Sequence, residues 1–101
     1  MSRSVTKAER NHLQCVADLG CIVCRQQFDV FSPAEVHHLR AGCGTGQRAS
    51  HYRTIPLCPP HHRTGGYGVA IHAGQKMWEE IYGTEEGLLV QVSQLLSENK
   101  E

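Results

Sequence analysis

Pro56-Leu57-Cys58-Pro59-Pro60-His61-His62-Arg63 is the stretch that decides how this chain is read. Pro56 and Pro59 disfavour helix at the residues before them, so Ile55-Pro56-Leu57-Cys58 is expected to be a short extended piece. Proline is tolerated in the first turn of a helix, and a helical turn is expected from about Pro60. Within the stretch, Cys58 and His61 stand at the spacing with which one turn grips a metal ion. Upstream, Cys21-Ile22-Val23-Cys24 repeats that spacing. Two such pairs complete the tetrahedron that a structural zinc prefers, so Cys21, Cys24, Cys58 and His61 are the expected ligands of one structural Zn. The ion would pin the start of the intervening segment to its end.

That segment carries two candidate strands, Phe28 to Phe31 and Ala34 to Leu39, with Ser32-Pro33 turning between them. Arg40 to Ser50 is polar and Gly-rich and reads as a loop. On the N-terminal side, Thr6 to Glu9 reads as a capping box opening a helix, with Gly20 just past its end. Ala8, His12, Cys15, Val16 and Leu19 fall on one face of that helix, which places Cys15 in the expected core. Cys43, among glycines, has no partner at ligand spacing. On the C-terminal side, Ala73 to Tyr82 reads as a helix ending at Gly83. Thr84 with Glu85 and Glu86 opens a last helix, with Leu88, Leu89, Val92, Leu95 and Leu96 as its apolar face.

The 101 residues suit one domain, 1–101, with a motif core over about 21–72. So short a chain buries a modest share of its surface, and a metal crosslink would help it. Five Cys and seven His dominate the composition. The chain shows no signal-peptide pattern and no apolar run near the roughly 20 residues of a membrane span, so a soluble intracellular protein with no membrane partner is expected. There the thiols favour metal ligation over disulfides. Formal net charge is zero, which is unusual for a nucleic-acid binder. The balance is local, however. Arg40, Arg48, Arg53 and Arg63 lie between Leu39 and Tyr67 with no acid among them, while Glu79, Glu80, Glu85, Glu86, Glu98 and Glu101 lie near the C-terminal end. A basic middle can face DNA phosphates without overall positive charge.

Beyond the zinc set, His37, His38, His51, His62 and His72 remain, with His12 read as a histidine on a helix face. On a helical turn, neighbours point about 100° apart, so His61 can face the zinc while His62 faces another site. Neighbours on a strand point to opposite faces, so His37 and His38 serve one site only if the strand bends or ends there. Neutral imidazole is both a metal ligand and a base working near pH 7. Phosphodiester hydrolysis needs both, a base for water and a cation for the charge that builds on the phosphate.

His37-His38-Leu39-Arg40, Gly42-Cys43-Gly44-Thr45-Gly46 and Pro56 through Arg63 resemble the HNH, or ββα-metal, nucleases. More narrowly they are similar to the phage and prophage group of Ref-like, RecA-dependent recombination-enhancement nucleases, as is the tail from Gly68 through His72 to Trp78 and Gly83. The resemblance implies an α+β fold, a small zinc-stabilised ββα-metal motif flanked by N-terminal and C-terminal helices. It implies a metal-dependent DNA endonuclease with DNA and the RecA filament as partners. His38 matches the general base, His62 the metal-binding His of the motif helix, and His37 the place where many relatives have a metal-binding Asp. His51 lies where an Asn or Asp is common, a departure that leaves its role open. His72 matches a recurring His that is either a further ligand or a structural hydrogen bonder. The resemblance also implies weak sequence preference. A site built mainly from imidazoles favours Zn, Mn, Ni or Co over Mg, which prefers oxygen ligands. Two rival readings use the same residues, a non-catalytic zinc-bound DNA-binding adaptor and a metal sensor or store.

Overall fold

The computed structural model describes residues 5–40 and 50–99. Its elements in chain order are α1 (Lys7–Asp18), α2 (Ile22–Phe28), β1 (Glu35–His38), β2 (Thr54–Leu57), a single π-helical turn (Pro60–Thr64), a 3-10 turn (Ile71–Ala73), α3 (Gln75–Tyr82) and α4 (Glu85–Asn99). Among the described residues this is a small α+β fold, with one two-stranded sheet and four α-helices. The strands are antiparallel, with Glu35 opposite Leu57 and His38 opposite Thr54. The Gly42–Gly46 stretch, Cys43 and Arg48 lie outside the described residues.

Helix α1 opens on a reciprocal capping box. The Glu9 amide donates to Thr6 Oγ1 at 3.1 Å, and the Thr6 amide donates to Glu9 Oε1 at 2.9 Å. Past its end, Gly20 has a φ of +78°, and a Cβ there would lie 2.6 Å from the Phe31 ring. Only glycine meets both demands without strain. The Cys21 amide then donates to the Ser32 carbonyl at 2.9 Å, tying the first ligand to the approach of β1.

Two expectations need correction. Phe28 to Phe31 is not a strand. The Cys21–Cys24 knuckle continues as helix α2, capped by its own ligand, since the Cys24 amide donates to Cys21 Sγ at 3.4 Å. Asp29, with φ 55°, ends that helix. Phe28, Val30 and Phe31 are exposed. Cys15 is not a core residue either. It is exposed, and the buried positions at that end of α1 are Val16 and Leu19.

All four residues of β2 are buried, and α1, α2 and α4 pack against it. The core gathers Val16, Ile22, Val23, Leu39, Ile55, Leu57, Ile71, Trp78, Leu88 and Val92. Each fully buried Leu or Ile contributes about 1.5–3 kcal/mol. Trp78 satisfies its indole N–H by donating to the Val69 carbonyl at 2.9 Å. That bond holds α3 against the segment leading to His72. No helix among the described residues is long and apolar enough to cross a membrane.

Candidate metal centres and the histidine cluster

Cys21, Cys24, Cys58 and His61 converge in the interior, and all four are buried. Cys24 Sγ lies 3.8 Å from Cys58 Sγ, and His61 Nδ1 lies 3.7, 3.6 and 3.1 Å from the sulfurs of Cys21, Cys24 and Cys58. A tetrahedral zinc with ordinary bond lengths demands edges of about 3.8 Å between sulfurs and about 3.6 Å between sulfur and nitrogen. Three of the four separations meet that demand, and only the Cys58–His61 edge is shorter. The group could hold a metal such as zinc. Burial pushes the Cys21 thiol up to about 12 and raises that of Cys58, and it lowers His61. A cation entering this cage therefore has to displace thiol protons. The Tyr82 ring meets His61 edge-on at 5.3 Å, which fixes the ring plane.

The turn after β2 separates the two adjacent histidines. The His62 amide donates to the Cys58 carbonyl at 2.9 Å and the Gly65 amide to the Pro60 carbonyl at 3.0 Å, one wide turn. His61 points to the sulfurs. His62 points to His37 of β1 and His72 of the 3-10 turn. One ligand atom of each of these three imidazoles lies within 4.8 Å of the others. His62 Nε2 and His72 Nε2 are 3.0 Å apart, and the His37 ring meets both rings edge-on at 5.1 Å. Exposure is graded, with His37 buried, His62 intermediate and His72 exposed. The cluster thus opens to solvent on the His72 side. Desolvation of the His72 ring, then the neighbouring His62 and His37, lower its pKa and favour the neutral, ligating form.

Two carboxylates that the motif reading missed stand behind the cluster. Glu35, two residues before His37 and on the same strand face, accepts from His62 Nδ1 at 2.7 Å. It also takes a bidentate grip from Arg63, with Nε at 3.0 Å and Nη2 at 2.6 Å. The Arg63 guanidinium, then His62, hold the Glu35 carboxyl down to about 2. A neutral His62 that donates its Nδ1 proton to Glu35 carries its lone pair on Nε2, the atom that faces His72. The second carboxylate is Glu85 at the start of α4, wholly buried, with Oε2 2.7 Å from His37 Nε2. The signal for Glu35 was its place two positions from His37. Nothing local marked Glu85, which reads as an ordinary acidic first-turn residue.

His38 is not among the three clustered imidazoles. Its Nε2 lies 2.9 Å from His51 Nδ1, and the two rings meet at 5.1 Å. His38 is the last residue of β1, and it pairs with His51 rather than with the three imidazoles. His12 stacks on Tyr52 at 4.9 Å. Of the four arginines, Arg53 pairs with Glu86 and Arg63 with Glu35. The basic middle therefore draws acids from elsewhere in the chain. Arg40 is exposed and close enough to lower the His72 pKa.

A thiol-rich cage and an imidazole cluster on either side of one turn, in a small α+β fold, define the candidate site. The family model described as "Recombination enhancement, RecA-dependent nuclease" matches residues 5–97. The chain belongs to this family. A comparison with curated proteins gave no match.

Proposed function

We propose that the chain is a metal-dependent DNA endonuclease of the HNH, or ββα-metal, type, acting in recombination on DNA engaged by a RecA filament. The observation that carries this reading is the convergence of His37, His62 and His72 beside a separate Cys21–Cys24–Cys58–His61 cage. The order β1, β2, turn, with a histidine on the first strand and one on the turn, is the order the ββα-metal reading requires.

The three imidazoles fit a divalent cation, since neutral imidazole suits Zn, Mn, Co and Ni, with Mg less well served. Once bound there, such a cation supplies positive charge to the phosphoryl oxygens and to the departing 3′-oxygen. The protein's own groups do the rest. His38 acts as the general base for the attacking water. When its Nε2 proton is donated to His51 Nδ1, its lone pair stands on Nδ1, and His51 orients the ring. Arg40, Arg48, Arg53 and Arg63 supply phosphate contacts, with a phosphate competing against Glu86 for Arg53 and against Glu35 for Arg63. Zinc in the thiol cage locks the two ends of the motif.

A plasmid-nicking assay in the presence and absence of a RecA filament tests this. The wild-type chain cleaves with Mn, Co or Ni and stops with chelator, while His62→Ala and His38→Ala do not cleave. A chain that binds DNA and zinc but never cleaves with any added divalent cation is the non-catalytic adaptor instead.

A further inference from the structure

Glu85 is fully buried, which is costly for a carboxylate unless both oxygens are matched by donors. Here each has one. Oε1 accepts from the backbone amide of Arg40 at 2.9 Å, and Oε2 lies 2.7 Å from His37 Nε2. The residue is itself held in place. Its amide donates to Glu79 Oε2 at 2.9 Å, and Thr84 caps the same turn by accepting from the Gly87 amide at 3.0 Å. The α3–α4 corner therefore delivers one carboxylate, across 48 positions of sequence, to the back of the most buried ring of the cluster.

We propose that Glu85 is a positioning residue that fixes His37 as its Nε2–H tautomer and so presents the Nδ1 lone pair to the cation site. The inference rests on the three-histidine reading above. The Arg40 amide can only donate, so it fixes Oε1 as an acceptor. With the carboxyl ionised, Oε2 accepts the Nε2 proton of His37, and a neutral ring protonated there carries its lone pair on Nδ1. The Arg40 contact also ties the segment leaving β1 to α4.

Glu85→Gln keeps the shape and breaks the pattern. A glutamine has one accepting oxygen and one donating NH2. If its oxygen serves Arg40, the NH2 faces His37 Nε2, and the ring must move its proton to Nδ1 and lose its ligand lone pair. If the amide is reversed, its NH2 confronts the Arg40 N–H. Either arrangement damages the site while leaving the thiol cage untouched.

The test uses the full chain with zinc in the Cys21–Cys24–Cys58–His61 cage, titrated with cobalt, together with imidazole nitrogen NMR. The wild type should take up a further cobalt ion, and before that addition its His37 should show the Nε2–H tautomer. Glu85→Gln should show the Nδ1–H tautomer or a mixture, and should bind that cobalt about 10–100-fold more weakly, the usual loss for a supporting residue. Glu80→Gln, on an exposed position, should match the wild type. A wild-type His37 protonated on Nδ1 overturns the proposal without recourse to any variant. Equal cobalt affinity in wild type and folded Glu85→Gln overturns it while leaving the three-histidine site standing. A wild type that takes up no further cobalt overturns that site reading and this inference with it.

Discussion

His62 Nε2 and His72 Nε2 stand 3.0 Å apart across ten positions of chain. Two imidazole lone pairs at that separation repel unless a proton or a cation lies between them. The 3-10 turn and α3 hold His72 there, anchored by the Trp78–Val69 hydrogen bond. His72→Ala should weaken cobalt binding to the zinc-loaded protein by more than the about 10–100-fold that loss of a merely supporting residue costs. Calorimetric titration measures this. Unchanged affinity would remove His72 from the ligand set.

His38→Ala should separate chemistry from metal binding. Its ring pairs with His51 and lies outside the three-imidazole group. Loss of a general base typically lowers turnover by about 10²–10⁴-fold. The variant should therefore show that loss in plasmid nicking with cobalt affinity and thermal stability unchanged. Full activity would remove His38 from the base role.

Cys58→Ser should unfold the chain rather than merely inactivate it. Apparent binding free energies of structural zinc are on the order of 10–16 kcal/mol, comparable to or larger than the whole stability of a small domain, about 5–15 kcal/mol. Chelation of the wild type should produce the same loss of helical circular dichroism. Zinc uptake should also release protons near neutrality, because the ligating sulfurs must become thiolates.

Glu35 predicts a pH dependence at the acid end. Its carboxyl is held from the usual 4.5 down to about 2, first by Arg63 and then by His62. A depressed carboxylate stabilises the fold above its unfolded value and loses that contribution as pH falls through its folded value. Wild type should exceed Glu35→Gln in urea midpoint near neutrality. The gap should close between pH 4.5 and about 2. A gap independent of pH would mean that Glu35 acts through shape alone.

The ligand spacing, the capping box and the short extended piece before Cys58 were legible in the sequence, because each depends on residues within one turn of one another. The carboxylates were not. Glu85 reaches His37 across 48 positions, a distance over which no local pattern carries a signal, and Glu35 reaches His62 across 27, marked only by its place two positions before His37. The Phe28–Phe31 strand failed for a different reason. Its apolar residues suit a pleated surface, but Phe28 is the last residue of a helix, and Asp29 leaves that helix in a left-handed conformation with φ 55°. Cys15 fell on the expected face of α1, yet only the Val16 and Leu19 end of that face meets the core.

The most direct measurement is an anomalous-scattering map from crystals grown with manganese or cobalt. The account predicts two separate ions, one bonded to Cys21, Cys24, Cys58 and His61 Nδ1 and the other held among His37, His62 and His72. A single ion in the thiol cage, with the three imidazoles empty at saturating cation, would contradict it.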